Sequence, residues 1–213
     1  MEINQRKLNA YTEAHSSPPD PILLELERET NFKALSPQMI SGPTQGKLLH
    51  LLSRLLQPSS ILEVGTFTGY ATICLARGLV AGGILHTIEV NEELESIIRK
   101  YIDKAGLTEQ VQLHMGDALN IIPTIKGDFD LILIDAAKKD NANYFDILID
   151  RLRPGGLMIA DNVLWDGKVT NVEKDKTTQM IDDFNKKIQA DDRVENLILP
   201  IRDGILVMRK RDR

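Results

Sequence analysis

Apolar positions fall into two regimes along the chain. From residue 59 onward, short apolar runs alternate with longer stretches of helical spacing. Upstream of that point only helical spacing occurs. The runs predict strands at 60–64, 84–89, 111–115, 129–134, 156–160, 196–200 and 204–209. Helices are predicted at 70–79, 91–105, 117–125 and 141–152, and over 173–189, where Met180, Ile181, Phe184 and Ile188 share a face. Strands that alternate with helices build a parallel sheet covered on both faces. Phe129–Ile134 and Leu157–Ala160 are nearly unbroken apolar runs, as strands buried on both faces require. The last two runs flank Arg202-Asp203-Gly204, which predicts a hairpin and a last strand antiparallel to its neighbour. The fold class is therefore α/β: a doubly wound, mostly parallel seven-stranded sheet with an antiparallel last strand and N-terminal helices.

The upstream part is helical in pattern. Residues 1–15 are polar and weakly helical. Asp20 and Pro21 read as the N-cap and first position of a helix with Ile22, Leu23 and Leu26 on one side and Glu25, Glu27 and Glu29 on another. Residues 44–56 form a leucine-rich amphipathic helix. Residues 1–57 are expected as a helical appendage, too small for its own core, packed on the main domain formed by 58–213 or covering a site on it.

Composition narrows the function classes. Of 213 residues, 42% are hydrophobic and 27% charged, which is ordinary globular material. A net charge of −5 weighs against non-specific nucleic-acid binding. A single cysteine, Cys74, excludes an internal disulfide and is expected as a small buried hydrophobe. No apolar run approaches the roughly 18 residues of a membrane span, and Met1–Ala10 lacks an apolar signal core. The expectation is a soluble, cytoplasmic protein with neither nucleic-acid nor membrane partner. His15, His50, His86 and His114 show no metal-ligand spacing.

Candidate chemistry begins at Ser60–Gly69, a strand, a glycine turn and a helix start. Glycines allow close backbone approach to a ligand, and a helix N-terminus offers free N–H groups. The turn lacks the G-x-G of dinucleotide sites, and Glu63, two residues before Gly65, suits a positively charged ligand better than a pyrophosphate. The turn by itself equally fits an ordinary strand-to-helix corner. In doubly wound sheets ligands sit beyond the carboxyl ends of the strands. Those ends carry Glu89, where a ribose-binding acid belongs, then Asp117, Asp135, Asp161 and Asn162. Gathered carboxylates call for a cation. Asp135, Asp161 and Asn162 are all oxygen ligands, which suits a hard cation such as Mg²⁺ or Ca²⁺. Beside such a cation an ammonium is disfavoured, so Lys138 reads either as a base or as a solvated loop lysine next to Lys139.

Three stretches carry a resemblance. Leu62–Tyr70, Asp135-Ala136-Ala137-Lys138 with Tyr144, and Asp161-Asn162-Val163-Leu164-Trp165-Asp166-Gly167 resemble the cation-dependent O-methyltransferases of the caffeoyl-CoA and catechol group, which use S-adenosylmethionine. The resemblance runs from about Met39 to the C-terminus, and its Asp-Asn-x-Leu-Trp-x-Gly stretch is specific. It implies a Rossmann-like methyltransferase sheet. It implies that Glu63, Gly65, Thr66 and Gly69 hold the methionine part of the cofactor, Glu89 and Val90 the ribose, and Asp117-Ala118 the adenine. Met39 and Ser41 match a segment that closes over the cofactor, and Asp135 borders it too. Asp135, Asp161 and Asn162 match the ligands of Mg²⁺, Ca²⁺ or Mn²⁺, with Lys138 as general base. The implied acceptor is a vicinal diphenol set by Lys138, Tyr144 and Trp165, although Trp165 reads equally well as loop packing. A homodimer is implied as well. Two positions depart from the family. Ala71 stands where serine often touches the cofactor's carboxylate, and Ala136-Ala137 lacks the second acid that plant members place before the lysine. A nicotinamide oxidoreductase would need the absent G-x-G-x-x-G turn. A non-catalytic cofactor-binding subunit would have no use for an intact cation-binding set.

Overall fold

The computed structural model of the chain describes residues 5–212. Seven strands, β1 (Ser60–Val64), β2 (Ile84–Glu89), β3 (Val111–Met115), β4 (Phe129–Ile134), β5 (Leu152–Asp161), β6 (Val194–Leu199) and β7 (Ile205–Lys210), form one sheet in the order β3-β2-β1-β4-β5-β7-β6. The first five pair in parallel. β7 is antiparallel to both β5 and β6, so it alone runs against the rest. The order reverses between β1 and β4, which opens a crevice at their carboxyl ends.

Alternate residues along the central strands feed two separate cores, as a pleated strand dictates. Ile61, Leu131 and Ile159 face one layer, built on α2 (Pro21–Lys33), α3 (Gly42–Leu56), α4 (Tyr70–Ala76) and α5 (Glu95–Lys104). Leu62, Ile132 and Met158 face the other, with α7 (Asn141–Leu148) and α8 (Lys176–Ala190). The described side chains of α1 (Gln5–Ala14) are exposed, and the short α6 (Ala118–Ile121) follows β3. Leu23, Leu26 and Leu49 of the upstream helices lie in the same buried cluster as Ile73 and Ile98. Polar contacts add to that seam: the Thr30 hydroxyl donates to Thr68 Oγ1 at 3.0 Å, and the Tyr101 hydroxyl donates to Glu29 at 2.7 Å. Asp20 accepts from Ile22 N–H at 2.7 Å as the cap of α2. Among the described residues, no helix is long and apolar enough to cross a membrane.

Element bounds depart from the apolar pattern in several places. β5 starts at Leu152 rather than 156 because Leu152 already pairs with Phe129, and a bulge after that pair accommodates Pro154 and Gly155. α7 therefore stops at Leu148. α4 ends at Ala76 because Gly78 lies hard against Ser53, whose hydroxyl donates to the Leu75 carbonyl at 2.7 Å. The region predicted as helix at 117–125 breaks into α6 and a 3-10 turn at Ile122–Thr124, since Pro123 has no N–H to continue the ladder. The stretch at 91–105 likewise opens with a 3-10 turn, Glu92–Leu94.

Candidate active site

The carboxyl ends of β1, β2, β4 and β5 meet at the crevice. Gly65 ends β1 with φ +96°, and a Cβ there would lie 2.0 Å from the Asp135 carbonyl oxygen. Only glycine fits both demands. The glycine turn thus sits directly on the end of β4, where Asp135 N–H donates to the Val64 carbonyl at 2.8 Å. Asp161 ends the adjacent strand, β5.

The polar side chains converge around these two carboxylates. Lys138 Nζ lies 3.2 Å from Asp135 Oδ1, with its side chain only 11% exposed. Asp161 is buried, and each of its oxygens accepts one hydrogen bond: Oδ1 from Asn162 N–H at 2.7 Å and Oδ2 from the Gln45 side-chain amide at 2.6 Å. Burial pushes the Asp161 carboxyl up to about 6, the charge of Asp135 adds to the rise, and the bond from Gln45 and the charge of Lys138 oppose it. Asn162 takes φ +56°, a left-handed value that asparagine tolerates better than most residues, and it turns the chain away from the sheet at once.

A hard cation fits this donor set. Two carboxylates repel one another here, and an ammonium beside Asp135 already answers part of the charge. Carboxylates offer about four lone-pair sites each, so Asp161 keeps capacity beyond its two bonds. No group of three or more His, Cys, Asp or Glu arranged for a metal occurs among the described residues. The carboxylates of Asp135 and Asp161 are oxygen donors of the kind that Mg²⁺, Ca²⁺ or Mn²⁺ takes.

The remaining residues singled out from the sequence occupy varied settings. Glu89 is nearly buried and stitches two loops: Oε2 accepts from Phe67 N–H at 2.8 Å, and Oε1 accepts from Val90 N–H at 3.0 Å and Asn91 N–H at 2.9 Å. Val90 beside it is 71% exposed, and Met39 is 60% exposed. Ser41 is buried at the start of α3. Thr66 is buried and shares a 2.5 Å hydrogen bond with Thr87. Gly69, with φ +92°, caps α4. Asp117 accepts from Leu119 N–H at 2.8 Å as the cap of α6, which begins with the buried Ala118. Trp165 is half-buried on the loop after β5 and takes φ +50°.

Three side chains stand apart from the open surface. Glu63 is fully buried: Oε2 accepts from Thr72 at 2.5 Å and Thr87 at 2.6 Å, while Oε1 has no partner. Burial raises its carboxyl to about 8, those two bonds oppose the rise, and the charges of Asp135 and Glu89 add to it. Glu63 therefore lies between the sheet and α4, near enough to Asp135 and Glu89 of the crevice to feel their charges. Ala71 is buried in α4, and the neighbouring Thr72 hydroxyl donates to Glu63. Tyr144 is 5% exposed in the same buried cluster as Ala118, and burial raises its hydroxyl, helped by the charges of Asp140 and Asp117. Its charged neighbours thus include the Asp117 that caps α6. His86 and His114 pair across β2 and β3 at 3.1 Å, away from this centre.

Gln45 was not singled out from the sequence. Its signal was a polar residue at helical spacing from Leu48, Leu49 and Leu52, hence on the buried stripe of α3. Arg202, whose guanidinium reaches the carbonyls of 38–41, gave no signal at all, because a turn arginine is usually solvated.

A family model described as O-methyltransferase matches residues 13–211. The catechol O-methyltransferase of Niastella koreensis is 41% identical over 168 residues, 76% of either chain. The caffeoyl-CoA O-methyltransferase 1 of Eucalyptus globulus is 32% identical over 205 residues, 91% of this chain and 83% of that one. Among solved structures, the O-methyltransferase from Bacillus cereus in complex with SAH superposes with a TM-score of 0.88 at 34% identity, covering 96% of this chain and 97% of that one.

Proposed function

The chain belongs to the O-methyltransferase family, and from that premise we propose that this enzyme moves the methyl group of S-adenosylmethionine to one hydroxyl of a vicinal diphenol held at a divalent cation. The observation that carries the reading is the convergence of Asp135, Lys138, Asp161 and Gln45 at the ends of β4 and β5, against the back of the glycine turn. The named relatives support the aromatic acceptor: one acts on catechol and one on a caffeoyl ester, by their descriptions.

The chemistry asks for a deprotonated oxygen aligned with an electrophilic methyl. S-adenosylmethionine supplies that methyl on a sulfonium and leaves as S-adenosylhomocysteine. A free phenol loses its proton near pH 10, so ionisation at neutral pH costs about 4 kcal/mol. Asp135, Asp161 and Asn162 would hold the cation, which would supply much of that by favouring the ionised diol. Lys138 would accept the hydroxyl proton at Nζ, a role that contributes typically 10²–10⁴-fold. Asp135 orients Lys138, and Gln45 orients Asp161. Gly65 would let backbone approach the cofactor, Glu89, which joins two loops, would meet its ribose, and Asp117-Ala118 would border the adenine. Trp165 walls the aromatic ring.

Labelled methyl transfer to catechol, caffeate and caffeoyl-CoA tests the proposal, run with Mg²⁺ and with excess EDTA. Turnover that EDTA abolishes is expected. Turnover untouched by EDTA would leave a methyltransferase without the cation. If none of the three diphenols is methylated although S-adenosylhomocysteine binds by calorimetry, the acceptor class is wrong.

A further inference from the structure

The turn between β6 and β7 lies immediately beyond the end of β5, because Ile205 pairs with Asp161. Three consecutive residues of this turn reach two different segments. The Arg202 guanidinium donates to the carbonyls of Ile40 at 2.5 Å, of Gln38 at 3.2 Å and of Ser41. On the other side, Asp203 accepts from Asp166 N–H at 2.5 Å through its carboxylate and from Leu164 N–H at 2.8 Å through its carbonyl. The Gly204 carbonyl accepts from Val163 N–H at 3.1 Å. A Cβ at Gly204 would lie 2.4 Å from Leu164 Cγ, and its φ is +90°, so only glycine lets the two segments close to this distance.

We propose that Arg202 is a positioning residue for the cofactor: it clamps the 38–41 segment, while the rest of its turn fixes the 163–166 loop, so one hairpin sets the gap between the two walls of the crevice. The inference rests on the methyltransferase reading above, in which Met39 and Ser41 border the cofactor. The carbonyls of 38–41 include the free C-terminal end of the 3-10 turn Pro37–Met39. Free carbonyls at a helical C-terminus attract a cation. Among the described residues, no carboxylate forms an ion pair with Arg202, so these carbonyls are its counterpart. Only a guanidinium presents several donors in a fixed plane to three oxygens at once, and a lysine would meet fewer of them. Without the clamp, the segment samples other conformations, and the binding-competent fraction falls. Apparent affinity falls by the same fraction.

Calorimetric titration with S-adenosylhomocysteine on the wild-type chain, Arg202→Lys and Arg202→Met tests this, together with steady-state kinetics and amide exchange. Arg202→Met is expected to bind roughly tenfold or more weakly, the value of a lost charge-assisted contact. The KM for S-adenosylmethionine should rise with kcat at saturation nearly unchanged, and Arg202→Lys should recover part of the affinity. Amide exchange at Ile40 should quicken in Arg202→Met while the β1 and β4 amides stay protected, which separates loss of the clamp from general unfolding. Wild-type binding with equal affinity in both variants would overturn the inference alone. Should Arg202→Met not fold, equal affinity of Arg202→Lys and wild type would overturn it too. Failure of the wild type itself to bind S-adenosylhomocysteine would overturn the cofactor reading, and with it the role given to Arg202.

Discussion

Replacing Glu63 by glutamine should remove most of a pH dependence from the folding stability. Glu63 is sealed between β1 and α4, and its carboxyl is raised from 4.5 to about 8, with burial as the largest cause. A folded-state value above the unfolded one means that the native chain holds a proton that the unfolded chain has already released. The contribution to stability is complete below pH 4.5 and is lost as pH rises through 8. Over pH 5 to 8 the loss from this single group is about 3.5 kcal/mol, taking 1.36 kcal/mol per unit. Glutamine keeps an acceptor for the hydroxyls of Thr72 and Thr87 and cannot ionise. It leaves buried amide protons near the position where Oε1 has no partner, a constant penalty of about 1–3 kcal/mol. The variant should therefore be the less stable protein at pH 5 and comparable or more stable at pH 8. Asp161, raised to about 6, drives the wild type in the same direction at lower pH, but it is common to both proteins and drops out of their difference. Urea denaturation of both chains at pH 5, 6, 7 and 8 is the assay. Stability curves separated by the same amount at every pH would refute the reasoning, because Glu63 would then titrate alike in the folded and unfolded chains.

Other perturbations read out the crevice. Gln45→Ala removes the donor at Asp161 Oδ2 and should weaken Mg²⁺ binding about tenfold or more, measured calorimetrically with the fold intact. Lys138→Met should lower kcat by about 10²-fold or more while leaving the affinity for S-adenosylhomocysteine within a few-fold; an equal loss in both would make Lys138 a binding residue. Gly65→Ala forces a methyl against the Asp135 carbonyl, so thermal denaturation should show a large loss of stability, and calorimetry no cofactor binding.

The sheet was legible because its strands announce themselves by composition. Phe129–Ile134 is apolar throughout and can only be a strand buried on both faces. Its end was equally legible, since Asp135 breaks such a run abruptly. What the sequence hid were events decided by packing. Nothing local says that α4 must stop at Ala76; the contact of Gly78 with Ser53, 25 positions upstream, decides it. Strand β5 starts early for a similar reason, because pairing with Phe129 overrides Pro154 and Gly155. Within the crevice, Asp135, Asp161 and Asn162 could be read from strand ends, whereas Lys138 beside Lys139 could not be told from a solvated loop lysine by spacing. Glu63 stood out two residues before Gly65, but its burial against α4 did not, because β1 is covered on both faces. Its tether to Thr72 and Thr87 joins residues 9 and 24 positions apart. Gln45 and Arg202 act across 116 and more than 160 positions, a range at which spacing carries no information.

Paramagnetic resonance of Mn²⁺ titrated into the protein reads, without turnover, whether Asp135, Asp161 and Asn162 hold a divalent cation that takes the diol. The expected result is one bound Mn²⁺ per chain whose spectrum changes when catechol is added, and whose binding is lost in Asp161→Ala. Mn²⁺ that stays free, or that binds as well to Asp161→Ala, would contradict it.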